Sequence, residues 1–194
     1  NSDLKPEENV TIEIGAEIGL KNKAIFNFVY FNRKETNFID FVDLGSYVYQ
    51  YKNVADSFTA SGIEINVDYI FSNQFKLKTN ATYTHIEENL SLRIPEFKIN
   101  ASLMYELTKT TLISFSYQFN DSRKDAVYNS NTYVNDEVLL ESYNLFDFYI
   151  SHKFMNNKVL LFVNVTNVFN AYYEELRGYS TRGRNVNLGL NINL

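Results

Sequence analysis

The residues of this 194-residue chain that could do chemistry fall into three groups: two histidines, a loop of tyrosines and arginines, and a carboxylate-rich segment. His85 has Glu87 and Glu88 beside it, a weak match to the His–carboxylate gatherings of hydrolases. His152 falls near the opposite end of a different segment, about a strand length away in height. The two are therefore poor candidates for one metal or one proton relay. Residues 171–184 carry Tyr172, Tyr173, Glu174, Glu175, Arg177, Tyr179, Arg182 and Arg184. Rings and guanidinium groups together suit a flat, anionic ligand through stacking and charge-assisted bonds. The plainer reading places the tyrosines in an interfacial belt and pairs the arginines with lipopolysaccharide phosphates or loop carboxylates. Residues 121–141 include Asp121, Asp125, Tyr128, Tyr133, Asp136 and Glu137, oxygen ligands of the type calcium takes. They lack a fixed ligand spacing, and the segment reads as a mobile external loop.

These groups hang on segments of strict alternation. Residues 185–194 alternate polar or Gly with aliphatic down to Leu194, the signature of a strand with one wet and one oily face. In residues 11–20, Ile12, Ile14, Ala16, Ile18 and Leu20 oppose Thr11, Glu13, Gly15, Glu17 and Gly19. Similar segments run over 24–39, 51–71, 75–86, 98–105, 111–119, 143–154 and 159–167, giving about nine strands. Each approaches the roughly 9–11 residues that cross a bilayer at a tilt. Mid-strand charges such as Glu64 and Asp68 lie on the wet face. The fold class is therefore all-β, an antiparallel transmembrane barrel with a watery or plugged interior.

The connections alternate in length. Residues 21–23, 72–74, 106–109 and 155–157 are short polar turns, whereas 37–49, 87–95, 121–141 and 168–184 are long. Short turns on one rim and long loops on the other is the outer-membrane pattern, with long loops outside. Nine crossings is odd where single-chain bacterial barrels are even. Preceding strands are therefore expected, and Asn1 reads as a cut through a longer protein.

Composition agrees. The chain is 45% hydrophobic and 16% aromatic, yet no apolar run approaches a membrane helix of about 20 residues. With no Cys there is no disulfide, thiolate site or thiol nucleophile. A net charge of -5 without a basic patch argues against nucleic acid. No cofactor or resident metal is expected.

Four stretches resemble the C-terminal part of TonB-dependent outer-membrane receptors. Asn1-Ser2-Asp3-Leu4-Lys5-Pro6-Glu7, followed by Glu13-Ile14-Gly15, is similar to N-P-x-L-K-P-E…E-x-G, with Ser2 for Pro. Tyr51-Lys52-Asn53-Val54 and Gly62-Ile63-Glu64 resemble Y-x-N…G-x-E. Asn164 to Asn170 with Tyr173 resembles N-L-F-[DN]-x-x-Y. Gly178-Tyr179 and Gly183-Arg184 resemble G-Y…P-G-R, with Arg182 for Pro. The final residue departs too, Leu194 standing where Phe is commoner.

The resemblance implies that residues 1–194 are the C-terminal portion of a barrel of about 22 strands around a plug domain. It implies an outer-membrane location in a Gram-negative bacterium. The implied activity is import of a scarce nutrient such as a ferric siderophore, haem or cobalamin, energised through TonB by way of a part absent from this chain. Glu13 and Glu64 are then expected to face plug arginines. Tyr172, Tyr173, Arg177, Tyr179 and Arg182 are candidates to touch the ligand, and Gly183 and Arg184 are expected to be structural. The expected partners are outer-membrane lipid and lipopolysaccharide, the protein's own plug and remaining strands, TonB and the small nutrient, with no nucleic acid. Two other classes compete: a smaller barrel enzyme of protease or phospholipase type, and a soluble β-sandwich.

Overall fold

The computed structural model describes residues 1–21, 23–46, 48–86 and 92–193, and none of these is helical. Alternation becomes eleven strands. Nine form one sheet: β1 (Glu8–Leu20), β2 (Ala24–Asp43), β3 (Tyr49–Ser72), β4 (Phe75–Ile86), β5 (Phe97–Thr108), β6 (Thr111–Asn120), β9 (Tyr143–Phe154), β10 (Val159–Thr166) and β11 (Asn185–Ile192). Neighbours in this order pair antiparallel throughout. The remaining two, β7 (Arg123–Asn129) and β8 (Val134–Leu140), pair with each other in a separate two-stranded sheet.

Opposed residues in an antiparallel pair share a face, so the register assigns every row. One row reads Ala16, Phe28, Ile65, Ala81, Ile99 and Phe119 across six strands. The row beside it, on the other face, reads Glu17, Asn27, Asn66, Asn80, Asn100 and Gln118. The first face is oily and largely exposed, with Ile12, Ile14, Ile18, Phe28, Ile65, Phe115, Leu188 and Leu190 all open. An exposed apolar face of this breadth is stable only against lipid.

Two expectations change. The 37–49 stretch is not a long loop, because β2 and β3 continue through most of it and leave only residues 44–48 between them. The alternation had been hidden by a β-bulge where the register shifts between Phe38 and Ile39, beside Asn37 at φ 57. A bulge adds one residue to a strand and flips the inside–outside parity beyond it. The 121–141 segment is likewise a hairpin rather than a plain loop. Lys124–Glu137 (3.0 Å) and Asn129–Asp136 (2.7 Å) contacts bridge its strands.

The short-turn edge is as expected. In the last strand, Val186, Leu188, Leu190 and Ile192 share the oily face and Asn187, Gly189 and Asn191 the polar one. Leu194, expected on the oily face, lies outside the described residues, as do Glu87 and Glu88.

Candidate functional site

The polar face is an open trough of about 550 Å³ lined by Asn66, Asp68, Lys78, Asn80, Asn100, Ser102, Gln118 and Asp147. Its groups answer one another: Asn80 Nδ2 donates to Asn66 Oδ1 (2.8 Å) and Lys78 lies 3.9 Å from Asp68. Side chains every second residue on adjacent strands make such a ladder possible. Glu13 and Glu64 both belong to this face. Glu13 is opposite Phe31, and Glu64 is opposite Val29 and Thr82, one row along and two strands away. Two strand spacings put them roughly 10 Å apart, so they are separate carboxylates rather than a pair. Neither is in an ion pair among the described residues.

At the long-loop rim, three connections meet on Asp125, only 1% exposed. Arg93, from the β4–β5 connection, donates through Nε to Asp125 Oδ1 at 2.6 Å. The Arg177 amide, from the β10–β11 connection, donates to Oδ2 at 2.8 Å, and the Ala126 amide to Oδ1 at 2.8 Å. Burial alone would raise this carboxyl, but the Arg177 and Ala126 amides and the Arg93 guanidinium outweigh it and hold its pKa below the usual value. The hairpin is further anchored by Arg123, 7% exposed, whose Nη2 donates to the Glu174 carbonyl (2.9 Å). Its guanidinium lies 5.5 Å from the Tyr143 ring centre. Arg123 Nη1 and Asn120 Nδ2 are buried without a hydrogen-bond partner among the described residues.

The 167–184 connection is built around its motif asparagines. Asn167 adopts φ 50, accepts the Ala171 N–H (2.8 Å) and donates to the carbonyls of Ala171 (2.9 Å) and Arg182 (3.4 Å). Its own amide donates to Asp147 (2.8 Å), tying the loop to the trough. Asn170 Oδ1 accepts the Arg184 N–H (2.8 Å) and stands 2.7 Å from where a Cβ on Gly183 would be. Only glycine fits there, which accounts for the Gly183-Arg184 pair ahead of the last strand.

The five candidate ligand residues divide. Tyr173 stacks on Tyr143 with ring centres 4.5 Å apart, and its carbonyl accepts from Thr181 (2.6 Å). Burial and the nearby Glu175 charge push its hydroxyl pKa upward. Arg177 pairs with Glu174 at 3.0 Å, and its amide is held by Asp125. The Arg182 carbonyl is held by Asn167. Tyr172 and Tyr179 are 81% and 70% exposed, the Tyr172 hydroxyl donating to Glu174 Oε1 (3.4 Å). Asp125 was legible only as one oxygen ligand among several in 121–141; its role as the keystone of the rim was not, because its partners lie 32 and 52 residues away.

The histidines fall as expected at opposite strand ends. His85 lies 3.4 Å from Glu96 and His152 2.8 Å from Thr111. No group of three or more metal-ligating side chains occurs among the described residues. Of the 121–141 carboxylates, Asp125, Asp136 and Glu137 are engaged by Arg93, Asn129 and Lys124.

A sheet oily on one face and wet on the other, with tight turns at one edge and tied loops at the other, is a section of outer-membrane barrel wall. The family model described as TonB dependent receptor-like, beta-barrel, matches residues 1–168. The chain belongs to the TonB-dependent receptor family, whose members are outer-membrane transport receptors and not enzymes. No curated protein matches it in sequence. Among solved structures it is similar to the pyoverdine outer-membrane receptor FpvA of Pseudomonas aeruginosa. That match has 19% identity and a TM-score of 0.82, covering 98% of this chain and 30% of that one. It is similar also to the siderophore receptor PirA of Acinetobacter baumannii, with 17% identity, TM-score 0.79, and 98% and 32% covered. A third is the ferric-catecholate import receptor Fiu of E. coli, with 17% identity, TM-score 0.75, and 99% and 28% covered. The chain spans under a third of the length of these receptors.

Proposed function

We propose that the chain supplies the C-terminal strands of a receptor that imports a scarce nutrient, an iron complex such as a ferric siderophore first among the candidates. Transport is energised through TonB, which engages a part of the protein outside this chain. The observation that carries this reading is the rim tied by Asp125 and Asn167 above the polar trough. It supports a binding vestibule leading into a passage. The siderophore class draws support from what the similar solved receptors are named for.

In this reading β1 and β11, the two free edges of the sheet, hydrogen-bond to further strands, because an open edge cannot face hydrocarbon. Glu13 and Glu64 face a plug in the lumen, where an arginine satisfies each carboxylate. Tyr172 and Tyr179 touch the cargo, with Arg177 and Arg182 behind them, while Tyr173 holds the loop's shape.

The test is growth of a strain lacking the whole receptor under iron limitation, supplied with single ferric siderophores, haem or cobalamin. Loss of growth on one iron source, restored by the gene and only when TonB is present, is the expected result. Growth on every source as in the parent strain overturns the reading.

A further inference from the structure

The four tight turns at the inner rim contain Lys21, Lys23, Lys109 and Lys158 and no carboxylate at all. The outer connections, by contrast, hold Glu96, Asp121, Asp125, Asp136, Glu137, Glu141, Glu174 and Glu175 among their arginines. All four lysines are exposed, and none is in an ion pair among the described residues. Of the acids near this rim, Glu106 pairs with Lys76 (3.7 Å) and Asp68 with Lys78 (3.9 Å), while Glu17, on the polar face of β1, is in no ion pair among the described residues.

Two of these lysines have their backbones tied to a neighbouring strand end. The Ile70 amide donates to the Lys23 carbonyl (2.7 Å), and the Asn193 amide to the Lys158 carbonyl (2.8 Å). Just above them on the sheet runs a chain of rings from β3 to β5. Tyr69 and Phe71 are 4.5 Å apart, Phe71 and Phe75 5.0 Å, and Phe75 and Tyr105 5.9 Å. Aromatic rings settle at the headgroup boundary of a bilayer. Lysines one turn beyond it reach the phosphate level on flexible stems.

We propose that this lysine rim is a docking surface for anionic phospholipid headgroups, phosphatidylglycerol in type, of the inner leaflet. The inference rests on the barrel reading above and adds a lipid partner specific to one leaflet. Charge complementarity selects the lipid: the four exposed cations at this rim have no ion-pair partner among the described residues, and the rings from β3 to β5 mark the height of the boundary. Zwitterionic headgroups offer no net charge to neutralise them, and lipopolysaccharide belongs to the opposite leaflet. Each basic group near an anionic surface strengthens attraction by roughly fivefold, and salt screens it.

The experiment takes the full-length receptor carrying this chain, purified in detergent. Native mass spectrometry then counts bound lipid against equal phosphatidylglycerol and phosphatidylethanolamine. Wild type is expected to hold phosphatidylglycerol in several-fold preference. K21Q/K23Q/K109Q/K158Q together should bring it close to parity, and 0.5 M salt should do the same in wild type. An R177Q/R182Q variant at the opposite rim should keep the preference. Equal retention of both lipids by wild type, or undiminished preference in the quadruple variant, overturns the proposal. So does sedimentation with peptidoglycan that the quadruple substitution abolishes while lipid preference persists. Heat-modifiable migration of each variant on gels reports barrel integrity separately. Its absence in wild type would sink the barrel reading itself.

Discussion

The ring of Phe162 lies across Gly189, its cross-strand partner on the polar face, filling the volume a Cβ would take. The same arrangement recurs at the other side of the sheet, where Phe31 covers Gly62. An aromatic laid over a glycine restores the packing that glycine lacks in a strand. The two sites differ in one respect. At Gly189 the three nearest atoms all belong to the Phe162 ring, while at Gly62 the Tyr83 carbonyl is the nearest of all.

Alanine at either glycine should therefore cost about 1–3 kcal/mol, the usual range for overpacking. The remedy should differ. F162A should restore much of the stability lost in G189A, because a movable side chain is the obstacle. F31A should not rescue G62A, because backbone remains in the way. Thermal unfolding of the purified receptor, read by the loss of heat-modifiable migration, checks both cycles. Equal rescue at the two sites would contradict the distinction.

Asp125→Asn removes the charge that Arg93 pairs with and sets an NH2 in place of one oxygen, against either the Arg177 N–H or the Ala126 N–H and Arg93 Nε that share the other. A loss on the order of 2 kcal/mol is expected in the local stability of the rim, since Arg93 is half exposed and the carboxylate is buried. Limited proteolysis should cut 121–142 and 167–184 faster in this variant, with the strands untouched. Unchanged cleavage would show that the hairpin docks without its carboxylate.

The same carboxylate sets a pH dependence. Its folded pKa lies below its unfolded value. Its contribution is therefore complete above the unfolded value near 4 and is lost as pH falls through the folded one. Loop protection in hydrogen exchange should be flat from pH 8 down to about 5 and fall below about 4. The step should vanish in D125N.

Asn53 joins two motifs that the sequence places far apart. Its Oδ1 accepts the Lys5 N–H (3.0 Å), and its Nδ2 donates to the carbonyls of Lys5 (3.0 Å) and Asn37. Glu7 completes the contact by accepting the Ile39 N–H at 2.7 Å, next to the bulge. N53A should leave those backbone groups unpaired and weaken the 1–7 segment by about 1–2 kcal/mol. The expected readout is faster amide exchange at Lys5 and Ile39, with β4 to β6 unaffected.

E13Q and E64Q together should loosen the plug and raise passive entry of large antibiotics into cells. Normal barrel levels with unchanged permeability would count against a plug contact.

What the sequence made legible follows the physics of alternation. Where one face meets lipid and the other water, as from Ile63 to Asp68 or Val186 to Asn191, period two is forced and the strands are readable. At the Phe38/Ile39 bulge the inside–outside parity shifts, and the hairpin from Arg123 to Leu140 stands apart from the two-faced sheet. The pattern there no longer carries the strand. Motif positions were readable as a family resemblance, but their purposes were not. Asn53, Asn167 and Asn170 act on backbone groups that only the folded chain brings near. The Arg177–Glu174 pair, three residues apart, was within reach of the loop-carboxylate reading, whereas the packing of Tyr173 on Tyr143, thirty residues away, leaves no local trace.

The convergence of three connections on Asp125 has an evolutionary corollary. The β4–β5, β6–β9 and β10–β11 loops cannot be exchanged one at a time between receptors, because each arrives expecting a partner supplied by another. A chimera carrying a foreign β10–β11 loop would keep its packing at the rim only if Asp125 and the Arg93 segment travelled with it. The shape of this rim is inherited as a set.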